Sequence, residues 1–243
     1  MNFINLRSVF NRKVRAKNPL LFIYKPVGHN LKKMKKLTLI FLTLIFVSCG
    51  TTKNVSPNDL LEITKKQIEN EEWEKAEKNL TELIKLYPNN AELLFQRGYV
   101  REKNLKFTEC IEDFTKVIAL KPEKHTTRTN RGYAYRNIGE YQKAIDDFTA
   151  ELVVNPNAYS YEHRSVVHYL TKNYDEALKD VNISIEKAPD NSISYKTRAL
   201  IYKAMNSKEN ACADKEKAIE LKLLEKYPKY KTDISELNKY CNE

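Results

Sequence analysis

An aromatic residue recurs through this chain at almost constant intervals, and each is followed three positions later by a small one. The series is Trp73, Phe107, Tyr141 and Tyr174, with Ala76, Cys110, Ala144 and Ala177 behind them. Prolines keep the same beat at Pro88, Pro122, Pro156 and Pro189, so both series step by 34, 34 and 33 residues. Such a period constrains the fold more tightly than composition does. Each copy is one supersecondary unit that cannot bury its apolar face alone, and stacking copies makes a solenoid. Within one copy, Thr108–Leu120 places Ile111, Phe114, Val117 and Ile118 on one stripe, the spacing of an amphipathic helix. Ala91–Lys103 carries a second helical pattern through Leu94, Gly98 and Arg101. Gly98 and Gly132 fall in mid-helix, where glycine costs roughly 1 kcal/mol against alanine, so another helix is expected to cross at close range there. The prolines close each copy, because a helix does not readily continue into one.

These residues resemble the tetratricopeptide repeat, a helix–turn–helix unit of 34 residues. The third copy matches best, with Gly132, Tyr135, Tyr141, Ala144, Phe148 and Pro156 in register. The resemblance implies an all-α, right-handed solenoid of about five units, 57–90, 91–124, 125–157, 158–191 and 192–224, followed by a cap over 225–243 with a helix at 231–241. The first unit has Thr64 in place of the glycine. The fifth has Lys208 and Lys215 at aromatic positions but keeps Ala199, Tyr202 and Ala211. Degenerate ends are expected where an array meets water.

The charge belongs to the leader and not to this array. The chain carries 42 Lys and Arg against 32 Asp and Glu, a net charge of +10. Ten of the basic residues and none of the acidic ones precede Cys49, so the remainder is neutral. A neutral body has no electrostatic footprint for a phosphate backbone, and no nucleic-acid partner is expected. Five glycines in 243 residues also argue against phosphate-cradling loops and doubly wound dinucleotide folds.

From Met34 the chain reads as an export signal: Lys35 and Lys36, then the uncharged apolar run Leu37–Val47, then Ser48 before Cys49. The run is shorter than the roughly 17–25 residues that span a bilayer. With cysteine directly after the small residue, the segment resembles a bacterial lipoprotein signal over 34–48. That resemblance implies a mature chain that begins at Cys49, carries lipid there and continues through a linker over 49–56. Phe46 departs from the usual leucine. Gly50, rather than an acidic residue, points to the outer membrane and its periplasmic face. Translation is expected to start at Met34, with 1–33 an extension of the gene model or a basic leader.

Four arginines (Arg97, Arg131, Arg164, Arg198) and four aspartates (Asp113, Asp147, Asp180, Asp214) also follow the period. Catalytic groups would not repeat at every step, so these read as a structural ladder. The expected pairs are Asp113–Arg131, Asp147–Arg164 and Asp180–Arg198, at the seams between units. His163 and His168 are five residues apart, about 140° around a helix, which does not suit two ligands of one metal. No hydrolase or metalloprotease motif occurs, so neither enzyme activity, nor a metal, nor a cofactor, nor a small-molecule substrate is expected. Cys110 occupies a small-residue position and reads as a buried thiol. Cys212 and Cys241 could close a disulfide in an exported protein and pin the cap to the last unit.

In the tetratricopeptide family the first helices of the units line a concave groove. The resemblance places Phe95, Tyr99 and Glu102 there from unit two, Thr129, Tyr133 and Arg136 from unit three, and Tyr159, Glu162, Val166 and Tyr169 from unit four. Tyrosine offers rigid contact area with a polar tip, which suits protein recognition. The cationic clamp of the family's chaperone-binding members is missing, since its positions hold Phe95 and Tyr99, or Thr129 and Tyr133. The expectation is a non-catalytic scaffold that binds a protein or extended peptide beside a membrane. The alternatives are an accessory lipoprotein of outer-membrane protein or pilus-secretin assembly, and a cell-wall hydrolase or its activator.

Overall fold

The structure, a computed structural model, describes residues 55–124 and 126–243. The leader and Cys49 lie outside the described residues. Residues Val55–Glu243 form one compact unit. Ten of its helices fall in consecutive packed pairs: α1 (Pro57–Glu69) with α2 (Trp73–Leu86), α3 (Ala91–Lys103) with α4 (Phe107–Leu120), α5 (Thr126–Asn137) with α6 (Tyr141–Val154), α7 (Ala158–Leu170) with α8 (Tyr174–Lys187), and α9 (Ser192–Ala204) with α10 (Lys208–Glu220). The result is an all-α solenoid. First helices touch in series, α3 to α5, α5 to α7 and α7 to α9, and so form one continuous face.

The local sequence explains both kinds of turn. Between units, asparagine caps the incoming helix: the side chains of Asn90, Asn157 and Asn191 each accept a hydrogen bond from an amide of the first turn that follows. Within units, the chain reverses through a single left-handed residue at the same register each time: Glu71 (φ 57°), Leu105 (60°), Gly139 (82°), Lys172 (64°) and Asn206 (59°). Only the third unit puts glycine there, the residue for which this conformation has no steric cost.

The core runs along the array as a column of small and large residues. Ala76, Cys110, Ala144, Ala177 and Ala211 are fully buried, as are Leu80, Phe114, Phe148 and Val181. Burial, aided by Glu102, pushes the Cys110 thiol up to about 12, so it is inert. The mid-helix glycines answer to this packing. A Cβ on Gly98 would stand 2.6 Å from Phe114 Cε1, and one on Gly132 would stand 2.9 Å from Phe148 Cε1. Each ring of a second helix packs where its partner helix has no side chain.

The Arg–Asp ladder exists, but its pairs differ from those expected. Arg97 grips Asp113, Arg131 grips Asp147, Arg164 grips Asp180 and Arg198 grips Asp214, each through Nε and Nη2 at 2.7–2.9 Å. The carboxylates therefore close the two helices of one unit and do not cross seams. The seam is crossed by the guanidinium's remaining nitrogen, which donates to Thr81, Thr115, Thr149 or Asn182 of the preceding unit. Five donors in a rigid fork allow one arginine to serve both neighbours. Asp113 also receives Arg101 at 2.8 Å.

After α10 the pattern changes. A four-residue helix, α11 (Leu223–Lys226), and a 3-10 turn at Pro228–Tyr230 precede α12 (Lys231–Asn242). α12 packs against both α9 and α10. It buries Ile234 and Leu237 with Ala199, Ala218 and Leu223. Cys212 and Cys241 are joined as a disulfide, with their Cα atoms 5.8 Å apart. Among the described residues no helix is long and apolar enough to cross a membrane.

Candidate functional site

The face made by the first helices holds a cavity of about 340 Å³. Of the ten residues that the sequence places in a groove, six line it: Glu102, Tyr133, Arg136, Tyr159, Glu162 and Val166. Phe95 and Tyr99 line a smaller, mostly apolar hollow of about 250 Å³ with Ile68. Phe95 has turned partly into the core, 5.8 Å from the Phe114 ring, with Lys124 Nζ above its other face. Tyr169 packs against Tyr174, the rings tilted at 44° with centroids 6.1 Å apart, and lines neither. Thr129 is a correction. It is buried between units three and four with its hydroxyl on Ser160 at 3.1 Å, because a short side chain at that register fits the seam and does not reach the open face.

One wall of the cavity is a buried polar network. Glu162 accepts from His163 Nδ1 with one oxygen and from Thr197 with the other. Burial alone would raise the Glu162 carboxyl; the His163 imidazole and the cations Lys196 and Arg136 outweigh it and hold it below the ordinary carboxylate range. Burial holds the His163 imidazole below its ordinary value, against the pull of Glu162. Tyr133, Tyr159 and Phe148 surround that ring, with the Tyr159 centroid at 4.0 Å. Glu102, opposite, is raised by burial although Lys103 lies 3.8 Å away.

The other wall was missed by sequence reasoning. Tyr227, Lys229 and Tyr230 of the 3-10 segment line the cavity, together with Asn191, Ile193 and Lys196 at the start of unit five. Lys196 Nζ sits 4.2 Å over the Tyr230 ring and 3.2 Å from Asp233. Lys196 could have been found, since it stands in the register of Phe95, Thr129 and Glu162 one unit on. Tyr227–Tyr230 repeats the turn that Tyr87–Asn90 makes, with the same backbone, but falls beyond the 33–34 spacing of the earlier prolines, so the period did not place it. Among the described residues no cluster of three or more metal-ligating side chains occurs.

Stacked helix pairs with an aromatic, polar-walled hollow on the face of their first helices have the architecture of a helical-repeat scaffold. The tetratricopeptide repeat family model matches residues 129–192. The five helix pairs around that segment give the chain the fold of tetratricopeptide-repeat proteins. No curated protein matches it in sequence. Among solved structures, MamA is similar at 24% identity and a TM-score of 0.60, over 69% of this chain and 98% of MamA. A tetratricopeptide repeat protein from Parabacteroides merdae shares 18% identity at a TM-score of 0.62, over 76% of this chain and 73% of that one. YrrB, described as a tetratricopeptide protein with an unusual peptide-binding site, shares 15% at 0.57, over 77% of this chain and 94% of its own. Identities this low speak for the fold alone.

Proposed function

We propose that this chain is a non-catalytic scaffold that holds a protein or extended peptide in its concave cavity while lipid on Cys49 tethers it to a bacterial membrane. The observation that carries the binding role is the cavity itself, walled by tyrosines from two successive units and by the unit-breaking segment 227–230. Tyr133 and Tyr159 present rings with hydroxyl tips and lose little side-chain entropy on contact. YrrB supports the reading as a relative in fold with a peptide site.

The tether rests on the segment 34–49, whose charge, apolar length and Ser48–Cys49 junction match a lipoprotein signal. Two or more acyl chains hold a protein stably on a bilayer, each buried methylene contributing about 0.8 kcal/mol. The anchoring membrane in this reading is the outer one, and the solenoid faces the periplasm.

Crosslinking pull-down from the native host, with wild type beside Tyr133→Ala/Tyr159→Ala, tests the cavity. Partner recovery should fall with the double variant, and equal recovery from both removes the cavity from the proposal. Mass spectrometry of the mature amino terminus tests the tether: an unmodified Cys49 thiol rules it out.

A further inference from the structure

The cavity has more cationic than anionic groups, and the surplus is not engaged. Lys103, Arg136, Lys196 and Lys229 line it with Glu102 and Glu162. Both carboxylates already have partners: Glu162 has His163 and Thr197, and Glu102 has Lys103. Lys196 has Asp233. Arg136 and Lys229 have no carboxylate within 4 Å among the described residues. Each instead lies over a tyrosine, Arg136 4.6 Å from the Tyr133 centroid and Lys229 5.1 Å from that of Tyr230. Arg136 is nonetheless central, near enough to Glu102, Glu162, Tyr159 and Tyr230 to perturb all four.

The chain brings these two cations together by departing from its own period. The other connections between units begin at Tyr87, Lys121, Asn155 and Ala188, directly after the second helix, whereas the same turn at Tyr227 is delayed by residues 221–226. The added length sets Lys229 and Tyr230 across the hollow from unit three. The disulfide ties the following helix to α10, and the Lys196–Asp233 and Lys203–Glu236 pairs hold it beside α9.

Resting on the peptide-binding reading above, we infer that Arg136 and Lys229 form a receptor for a carboxylate of the bound segment, an Asp or Glu side chain or a terminal carboxylate, seated among Tyr133, Tyr159 and Tyr230. A guanidinium offers a carboxylate two parallel donors, and a lysine opposite adds a point charge. The tyrosine hydroxyls add further donors. Burial keeps that of Tyr159 protonated well above its ordinary value and raises that of Tyr230 to about 12. A cationic ligand is disfavoured by Arg136 and Lys229 themselves, since neither has a carboxylate within 4 Å among the described residues to offset it.

The test uses the full chain in neutral detergent and three arrays of randomised nonapeptides. The first is N-acetylated and C-amidated with a central Glu. The second has Gln in its place, and the third has no acidic side chain but a free terminal carboxylate. The first or third array should give ligands whose binding weakens with salt and falls about tenfold or more in Arg136→Gln and in Lys229→Gln, with unchanged melting temperatures. Preference between the first and third arrays distinguishes side-chain from terminal carboxylate. Equal binding of the Gln array, or acidic ligands that bind both variants as tightly as wild type, overturns the inference. If those ligands still need Tyr133 and Tyr159, the peptide-binding reading survives. No binding by wild type in any array defeats both.

Discussion

Arg131 and Asp147 stand sixteen residues apart and lock the two helices of one unit together, Nε to Oδ2 at 2.8 Å and Nη2 to Oδ1 at 2.7 Å. Both side chains are largely buried, at 18% and 8% exposure. Removing one partner strands the other, at a cost of about 3 kcal/mol, whereas replacing both with apolar groups can be close to neutral. Asp147→Leu should therefore lower the urea midpoint sharply, and Arg131→Met/Asp147→Leu should recover most of the loss. A double variant no better than the single one would show that the pair contributes net stability.

Leu105 holds φ 60° in an exposed turn where the third unit uses Gly139. A left-handed conformation costs a side-chain-bearing residue about 1–2 kcal/mol, while glycine adds about 0.5–1 kcal/mol of unfolded-state freedom. Leu105→Gly should stabilise by about 0.5–1 kcal/mol in thermal unfolding, and Gly139→Ala should destabilise.

At Gly98 the two energetic effects oppose each other. Alanine would gain roughly 1 kcal/mol in helix propensity, but its Cβ would overlap the buried Phe114 ring at 2.6 Å. Overpacking of about 1–3 kcal/mol decides the sign, and Gly98→Ala should destabilise. Gly98→Ala/Phe114→Leu should be milder than the sum of its parts, which a double-mutant cycle measures.

The Cys212–Cys241 disulfide closes a loop between residues 29 apart in sequence. Such a loop contributes about 3 kcal/mol when formed. Cys212→Ser/Cys241→Ser should lower the melting temperature, and the loss of hydrogen-exchange protection should concentrate in α12 and the 221–230 segment. Protection lost first in α1 would contradict this.

His163 and Glu162 make the fold acid-sensitive in one direction. The imidazole is held below its ordinary value of 6.5, so below that pH the unfolded chain takes up a proton that the folded one resists. The Glu162 carboxyl is held below 4.5, so its stabilising contribution is complete above that value and lost below it. Stability should fall from about pH 6.5 downward and fall further below about pH 4.5. His163→Gln, which keeps a donor for Glu162 but no charge, should shrink the upper step to the part that His168 contributes, because burial holds that imidazole below 6.5 as well. It should also soften the lower step. An unchanged profile between pH 7 and 5 in that variant would exclude His163.

Much of the architecture was legible because the same burial problem is solved again in each unit. Trp73, Phe107, Tyr141 and Tyr174 keep the register of the second helices, and Gly98 and Gly132 mark where a ring presses on its neighbour. The ladder residues were visible by the same logic, but their partners were not. Spacings of sixteen and of seventeen or eighteen are both periodic, and only the facing of two antiparallel helices selects sixteen. The cavity was half legible: Tyr133, Arg136, Tyr159 and Glu162 sit at repeating positions of first helices, whereas Thr129 at an equivalent position is lost to a seam.

The linear order of residues thus determined that this chain stacks helix pairs, how long each pair is and which stripe each helix buries, because those properties arise from contacts that recur along the chain. Where the inner face ends, and which charges meet there, was decided by the tertiary structure. Tyr227, Lys229 and Tyr230 belong to a segment outside the period, and their place beside Arg136 depends on packing between parts of the chain that share no register.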